Sequence, residues 1–348
     1  MQVTYHELAK LITEIPEAKN TVYLAGHIPG DMDSICSTLA LTKFLNQVGF
    51  DAKMLLPESE MTLLDWYDDK DDQYATKQEL IVHEADEHID IFFIMDTNLK
   101  SRLGEFAKYC EAADLVINID HHENNQFVDD YVLVEEEISA TCEMVAELIW
   151  SFPENFVRND GMTKEIATLL FAGIVSDTYS FKDRTDAGTF KVVAELCEYD
   201  IDTNYIIRSV YFDKSPEEMA ALGILLANLR YKDFHYVVID EQAEWFQAIG
   251  YNSLQKVLTP IICSNTDIDI FSFLIVKEDG RITGEFRSNC ELDVDELAAS
   301  MGKGGGHKKA SGFINDMDLD ENIEIIKSFV NTGGIVRKRT IEATETTN

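Results

Sequence analysis

Three short apolar runs in the first 120 residues stop at metal-ligating residue types, and this pattern constrains the fold more than any other feature. Residues 21–26 lead into His27, with Asp31 and Asp33 just beyond; residues 91–95 lead into Asp96; residues 115–119 lead into Asp120-His121-His122. Each run is too short for a buried helix and reads as a strand covered on both faces. Between the first two lies a helical pattern over 33–48, with Ile35, Leu39, Leu41, Leu45 and Val48 at helical spacing, and then a strand over 51–56. Further helices are expected over 103–112, 139–151, 163–176 and 186–198, with a polar surface stretch over 65–78. Strands alternating with helices predict an α/β fold with a mainly parallel sheet.

In such a sheet, ligands bind outside the carboxyl ends of the strands. His27, Asp31, Asp33, Asp96 and His121 would then share one crevice. Asp177, which follows the apolar stretch 170–176, would join them. Several aspartates in one crevice repel one another unless protons or cations neutralise them. An imidazole and carboxylate set without thiolate suits Mn²⁺, with Mg²⁺, Co²⁺ or Fe²⁺ as alternatives. Six ligands exceed what one ion with an open position needs. They suit two ions about 3.5–4 Å apart that share a carboxylate, an arrangement that acidifies water and clamps an in-line displacement at phosphorus. His6, His83, His88 and His235 lack this context and read as structural or surface residues.

The chain's 348 residues suit two domains, and 45% hydrophobic content is enough for sizeable cores. Its formal charge of −35 disfavours docking onto long duplex nucleic acid and favours a small anion in a local positive pocket. No apolar run approaches the roughly 20 residues that span a bilayer, and no secretory signal is visible, so no membrane partner and a cytoplasmic location are expected. Cys36, Cys110, Cys142, Cys197, Cys263 and Cys290 are scattered without a C-x-x-C pair and read as free thiols.

The second half changes character. Residues 199–230 read as a helical connector with Pro216 at a helix start, and 236–240 as a strand. Residues 268–276 and 281–286 flank Glu278-Asp279-Gly280 as a hairpin, 293–301 read as a helix, and a glycine-rich loop follows. Its glycines would let backbone N–H groups approach an anion closely, beside Lys308 and Lys309, and Arg287 could fork onto a phosphate.

The residues His27-x3-Asp31-x-Asp33-Ser34, Asp96, Asp120-His121-His122 and Asp177 resemble the four motifs of the DHH phosphoesterase superfamily. The segment Gly302-Lys303-Gly304-Gly305-Gly306-His307-Lys308-Lys309-Ala310-Ser311-Gly312 resembles the glycine-rich loop of its DHHA1 domain, and Gly284-Glu285-Phe286-Arg287-Ser288 its Arg-Ser strand end. Pro29-Gly30 before Asp31, and Lys303 before the glycine run, depart slightly from the pattern without removing a ligand. The resemblance implies a DHH domain over 1–195, a helical linker over 196–225, a smaller α/β DHHA1 domain over 226–336 and a disordered tail over 337–348. It implies His27, Asp31 and Asp96 on one ion, and Asp33, Asp96, His121 and Asp177 on the other. Asp120 would orient a ligand histidine, His122 would meet the substrate phosphate, and Arg287 would add charge stabilisation. Arg287, Ser288, Gly304, Gly305, Gly306 and His307 would bind substrate.

Within the superfamily, the resemblance is to short-oligoribonucleases that also dephosphorylate 3′-phosphoadenosine 5′-phosphate. It implies short RNA oligonucleotides, dinucleotides such as pApA or pGpG, and nucleoside bisphosphates as substrates, with a homodimer as an open option; closure about residues 199–215 is expected to complete the site. Cyclic di-AMP hydrolysis is the near alternative, followed by manganese inorganic pyrophosphatase and then a non-catalytic nucleotide sensor. The pyrophosphatase predicts a different C-terminal motif, and the sensor a missing ligand.

Overall fold

The computed structural model describes residues 1–15, 21–69, 75–122, 124–127, 130–157, 161–182, 184–212, 215–231, 234–250, 254 and 269–333. The tail over 337–348, Cys263 and part of the 65–78 stretch lie outside them. The chain divides into two compact units, Met1–Phe212 and Asp213–Asn348.

The first unit is built on six strands: β1 (Thr21–Ala25), β2 (Asp51–Leu55), β3 (Ile81–Val82), β4 (Ile89–Met95), β5 (Ala113–Asp120) and β6 (Tyr131–Val134). They lie in the order β3-β2-β1-β4-β5-β6, and every pairing is parallel. The chain runs outward from β1 to β3, then crosses back to lay β4 on the other flank of β1. That reversal opens a crevice at the carboxyl ends of β1 and β4. The middle strand β4 reads Ile-Asp-Ile-Phe-Phe-Ile-Met and is buried along almost its whole length, as a strand covered on both faces must be.

The described α-helices of this unit are α1 (Tyr5–Glu14), α2 (Met32–Gln47), the single turn α3 (Lys77–Leu80), α4 (Thr141–Trp150), α5 (Lys164–Asp177), α6 (Ala187–Cys197) and α7 (Thr203–Ile207). One sheet face packs in a large apolar cluster with α2, α4 and α5. Helix α2 is buried on nearly all sides, which explains why its apolar stripe is broad. The opposite face carries Tyr23, Phe92 and Ile94 against Leu103, Phe106 and Tyr109. Those last three belong to Lys100–Glu111, where a helix over 103–112 is expected. It is a run of 3₁₀ turns broken at Gly104, whose φ of 55° and ψ of −126° no helix accommodates.

The second unit also has a six-stranded sheet: β7 (Arg230–Tyr231), β8 (His235–Asp240), β9 (Ile270–Val276), β10 (Ile282–Ser288), β11 (Lys303–His307) and β12 (Ala310–Asn315), in the order β11-β12-β10-β9-β8-β7. Its described helices include α8 (Pro216–Ala227), α9 (Val294–Ser300) and α10 (Leu319–Asn331). Pro216 opens α8 behind a Ser215 cap, and β9 and β10 form the expected hairpin with Gly280 at φ 84°. The glycine-rich segment expected as a loop is instead the strand β11, paired antiparallel with β12. Its glycines serve close approach: a Cβ on Gly304 would lie 2.5 Å from the Ala298 carbonyl oxygen and 2.8 Å from that of Gly312.

Candidate metal centre

The first unit brings all six expected ligands, with Asp120 and His122, to the crevice at the carboxyl end of its sheet. Asp31 is the N-cap of α2, and its Oδ1 accepts the Ser34 N–H. Asp33 lies in the first turn, 1% exposed, and both its oxygens accept backbone N–H groups from the start of α4: Thr141 at 2.7 Å and Cys142 at 2.9 Å. A helix N-terminus is thus spent on fixing a carboxylate. Asp96 follows β4 at φ 52°, a left-handed backbone that aspartate adopts more readily than most residues, in the turn that carries this buried carboxylate.

Both expected ligand histidines are held by backbone carbonyls. His27 Nδ1 donates to Pro29 O at 2.6 Å, and His121 Nδ1 donates to Ile138 O at 3.3 Å. With the proton on Nδ1, each Nε2 presents its lone pair. His27 Nε2 is 3.3 Å from Asp31 Oδ2 and 3.6 Å from Asp96 Oδ2. His121 Nε2 is 3.5 Å from Asp96 Oδ1, 3.6 Å from Asp177 Oδ2 and 4.0 Å from Asp33 Oδ2. The two oxygens of Asp96 therefore face two different donor sets, His27 with Asp31 and Asp33 with His121 and Asp177.

These residues fit divalent cations. His27 Nε2 is buried and has no hydrogen-bond partner. Its nearest carboxylate oxygens, at 3.3 and 3.6 Å, lie at separations suited to donors sharing an ion at about 2.0–2.2 Å. Burial, then the charges of Asp33, Asp31, Asp120 and Asp177, push the Asp96 carboxyl well above its ordinary range. Burial and the Asp31 charge push Asp33 up to about 6. Burial, with His122 and Arg184 nearby, pushes His121 down to about 3, so its imidazole is neutral and able to ligate. Cations in the crevice would relieve the carboxylate repulsion.

Asp120 orients His122 rather than His121: its Oδ1 is 2.7 Å from His122 Nδ1, and its Oδ2 accepts from Asn125 at 2.6 Å. His122 Nε2 lies 3.1 Å from Arg102 Nη1. A further triad of Asp96, His121 and His122 also has donor atoms close enough to share an ion. Arg102, Asn125 and Thr141 were absent from the sequence-based site. So was Glu60, whose Oε2 accepts the Gly30 N–H at 3.0 Å and holds the loop between His27 and Asp31. Thr141 alone carried a signal, at the start of an expected helix.

The candidate substrate residues lie in the second unit. Arg287 Nη1 donates to Phe286 O, and its Nη2 is 3.5 Å from Glu285 Oε2. Ser288 Oγ is 3.0 Å from Leu292 O and 3.1 Å from Cys290 O, so its one proton serves a turn of its own chain. Gly304, Gly305, Gly306 and His307 form β11. The side chain of His307 is outside the described residues.

Carboxylates and imidazoles converging at a strand-order reversal define a metal-dependent phosphoester hydrolase. The DHH family, N-terminal domain, matches residues 21–174, and the DHHA1 domain matches residues 248–332. The chain belongs to the DHH/DHHA1 phosphoesterases. It is 26% identical over 324 residues to the bifunctional oligoribonuclease and PAP phosphatase NrnA of Thermus thermophilus, covering 92% of each chain. It is 24% identical to the cyclic-di-AMP phosphodiesterase GdpP of Bacillus subtilis, covering 97% of this chain and 51% of that protein. An exopolyphosphatase-related protein from Bacteroides fragilis shares the fold, with a TM-score of 0.80 at 22% identity over 94% of this chain and 96% of that one. Among the described residues, no helix is long and apolar enough to cross a membrane.

Proposed function

We propose that this phosphoesterase hydrolyses short oligoribonucleotides, dinucleotides such as pApA or pGpG, and 3′-phosphoadenosine 5′-phosphate, in the cytoplasm, with two Mn²⁺ ions. The observation that carries the reading is Asp96, with one oxygen toward His27 and Asp31 and the other toward His121. Two ions bound there would supply Lewis-acid polarisation of the phosphate and an acidified water. The chain's own residues prepare the rest. Pro29 O and Ile138 O fix the faces that His27 and His121 present. The start of α4 immobilises Asp33, and Asp120 with Asn125 holds the ring of His122 for contact with the substrate phosphate. Arg287, Ser288 and the β11 segment Gly304-Gly305-Gly306-His307 are assigned to a second phosphate or the nucleotide. The relative named oligoribonuclease and PAP phosphatase, matched along 92% of its length, supports this substrate class. The charge of −35 supports small substrates over long ones. A second reading, cyclic di-AMP hydrolysis, is favoured by the likeness to GdpP, of which the chain spans about half the length.

Metal-stripped protein, with and without Mn²⁺, is to be incubated with pApA, 3′-phosphoadenosine 5′-phosphate, cyclic di-AMP, pyrophosphate and a long RNA. Mn²⁺-dependent release of AMP from pApA, with the long RNA nearly untouched, is the expected result. Faster turnover of cyclic di-AMP than of pApA would select the second reading. No turnover by protein carrying two Mn²⁺ would overturn both.

A further inference from the structure

Arg102 stands out among the cations of the first unit. Its backbone is tied to the loop that carries His27, since the Ile28 N–H donates to Arg102 O at 2.6 Å. Its half-buried guanidinium places Nη1 3.1 Å from His122 Nε2. Among the described residues this is the one hydrogen bond the guanidinium makes, and no carboxylate lies within 4.0 Å of it. In a chain with 64 acidic and 29 basic residues, a half-buried arginine beside a carboxylate crevice but paired with none of them is unusual. Arg184, by contrast, directs Nη2 at the carbonyls of Glu136 and Ile138, the second of which also holds His121. That serves the loop.

The hydrogen-bond roles set the direction of the chain. A guanidinium only donates, so His122 Nε2 accepts from Arg102, and Nδ1–H donates to Asp120. His122 in this arrangement presents no proton of its own at Nε2. Among the described residues the other N–H groups of Arg102 make no hydrogen bond, and a planar guanidinium fork suits phosphate oxygens.

We propose that Arg102 is a phosphate-binding residue of this site and that His122 orients it. The proposal rests on the phosphoesterase reading and moves the contact with the phosphate from the imidazole to the guanidinium.

The test uses the Mn²⁺-loaded protein and its R102Q and R102K variants. It measures equilibrium binding of inorganic phosphate by calorimetry, kcat and KM on pApA, bound Mn²⁺ and Tm. R102Q should weaken phosphate binding by about 10-fold or more and lower kcat/KM by about 100-fold, as loss of a charge-assisted hydrogen bond predicts. Bound Mn²⁺ and Tm should hold, and R102K should recover part of the phosphate affinity. Wild-type phosphate binding in R102Q would overturn the proposal. So would loss of Mn²⁺ from both variants, which would make Arg102 a structural prop, and so would absence of phosphate binding by the wild type. If the wild type binds phosphate but turns over none of the nucleotides, and R102Q does not bind it, Arg102 keeps its role and the substrate reading falls.

Discussion

Thr141 Oγ1 lies 2.8 Å from Asp96 Oδ1 and donates to the carboxylate that both donor sets share. The same residue's N–H donates to Asp33 at 2.7 Å, so one threonine at the start of α4 sets the aim of two carboxylates. Replacing it with valine keeps the shape and the N–H but deletes the hydroxyl. T141V should bind Mn²⁺ about 10-fold more weakly, in line with the loss of an outer hydrogen bond to a metal ligand. T141S should stay near wild type. Equilibrium dialysis against Mn²⁺ decides; equal affinity in T141V would show that Asp96 needs no support.

Under the two-ion reading, neither Asp96 nor His121 should tolerate replacement by alanine. D96A removes the oxygens facing both donor sets, and H121A removes a neutral donor held by Ile138 O. Each should abolish phosphodiester hydrolysis and lower the bound Mn²⁺ per chain. Wild-type-like turnover in either would sink the two-ion assignment.

The protonation of the crevice makes the metal-free protein sensitive to pH. Asp33 in the folded protein is raised to about 6, chiefly by burial, against about 3.9 in an unfolded chain. The folded state therefore holds this proton more tightly. The resulting stability is fully present below pH 4 and is lost as pH rises through 6. The loss between pH 4 and pH 7 is on the order of 2 kcal/mol from Asp33 alone, and Asp96 shifts in the same direction. His121, pushed down to about 3, acts in the opposite sense, because its unfolded imidazole takes up a proton below about pH 6.5. The Asp33 contribution is therefore read against D33N, and metal-stripped wild type should lose more Tm than metal-stripped D33N between pH 5 and pH 7. An equal change of Tm in the two proteins over this interval would contradict the assignment.

D120N should reduce turnover by about 10–100-fold while bound Mn²⁺ stays near two per chain, because Asp120 holds His122 rather than an expected ligand. N125A removes the amide that donates to Asp120 Oδ2 and should give a smaller loss of the same kind. Single-turnover kinetics at saturating Mn²⁺ separates this from metal loss.

In the second unit, Gly284 lies under the ring of Phe313, which stacks on Phe286 at 5.3 Å between centroids. A Cβ there would fall 2.1 Å from Phe313 Cε1. G284A should destabilise this unit by about 1–3 kcal/mol, a typical cost of overpacking. Near-UV circular dichroism during melting checks it; an unchanged melt would show that the ring moves freely.

The central strands β1, β4 and β5 were legible because strands covered on both faces are nearly continuous apolar runs, and their carboxyl ends predicted where the ligands meet. The edge strands were not. β6 has four residues, and its neighbour across the open edge is an isolated bridge from Gln2 to Val132, which no local pattern announces. The glycines of 304–306 misled because the same residue that permits a loop also permits the close strand crossing observed. Among site residues, the expected ligands could be read because each follows an apolar element. Arg102, Asn125 and Glu60 could not, because their roles depend on where a loop returns in space.

The left-handed backbone at Asp96 has a bearing on how this centre can change over generations. Only glycine, asparagine and aspartate settle readily at such a φ. Of these, only aspartate brings two anionic oxygens. Each small step away has a cost at this position: glutamate keeps the charge but is less at ease in the turn, and asparagine keeps the turn but gives up the charge. Under the two-ion reading, backbone and charge therefore make separate demands on this one position, and aspartate meets both.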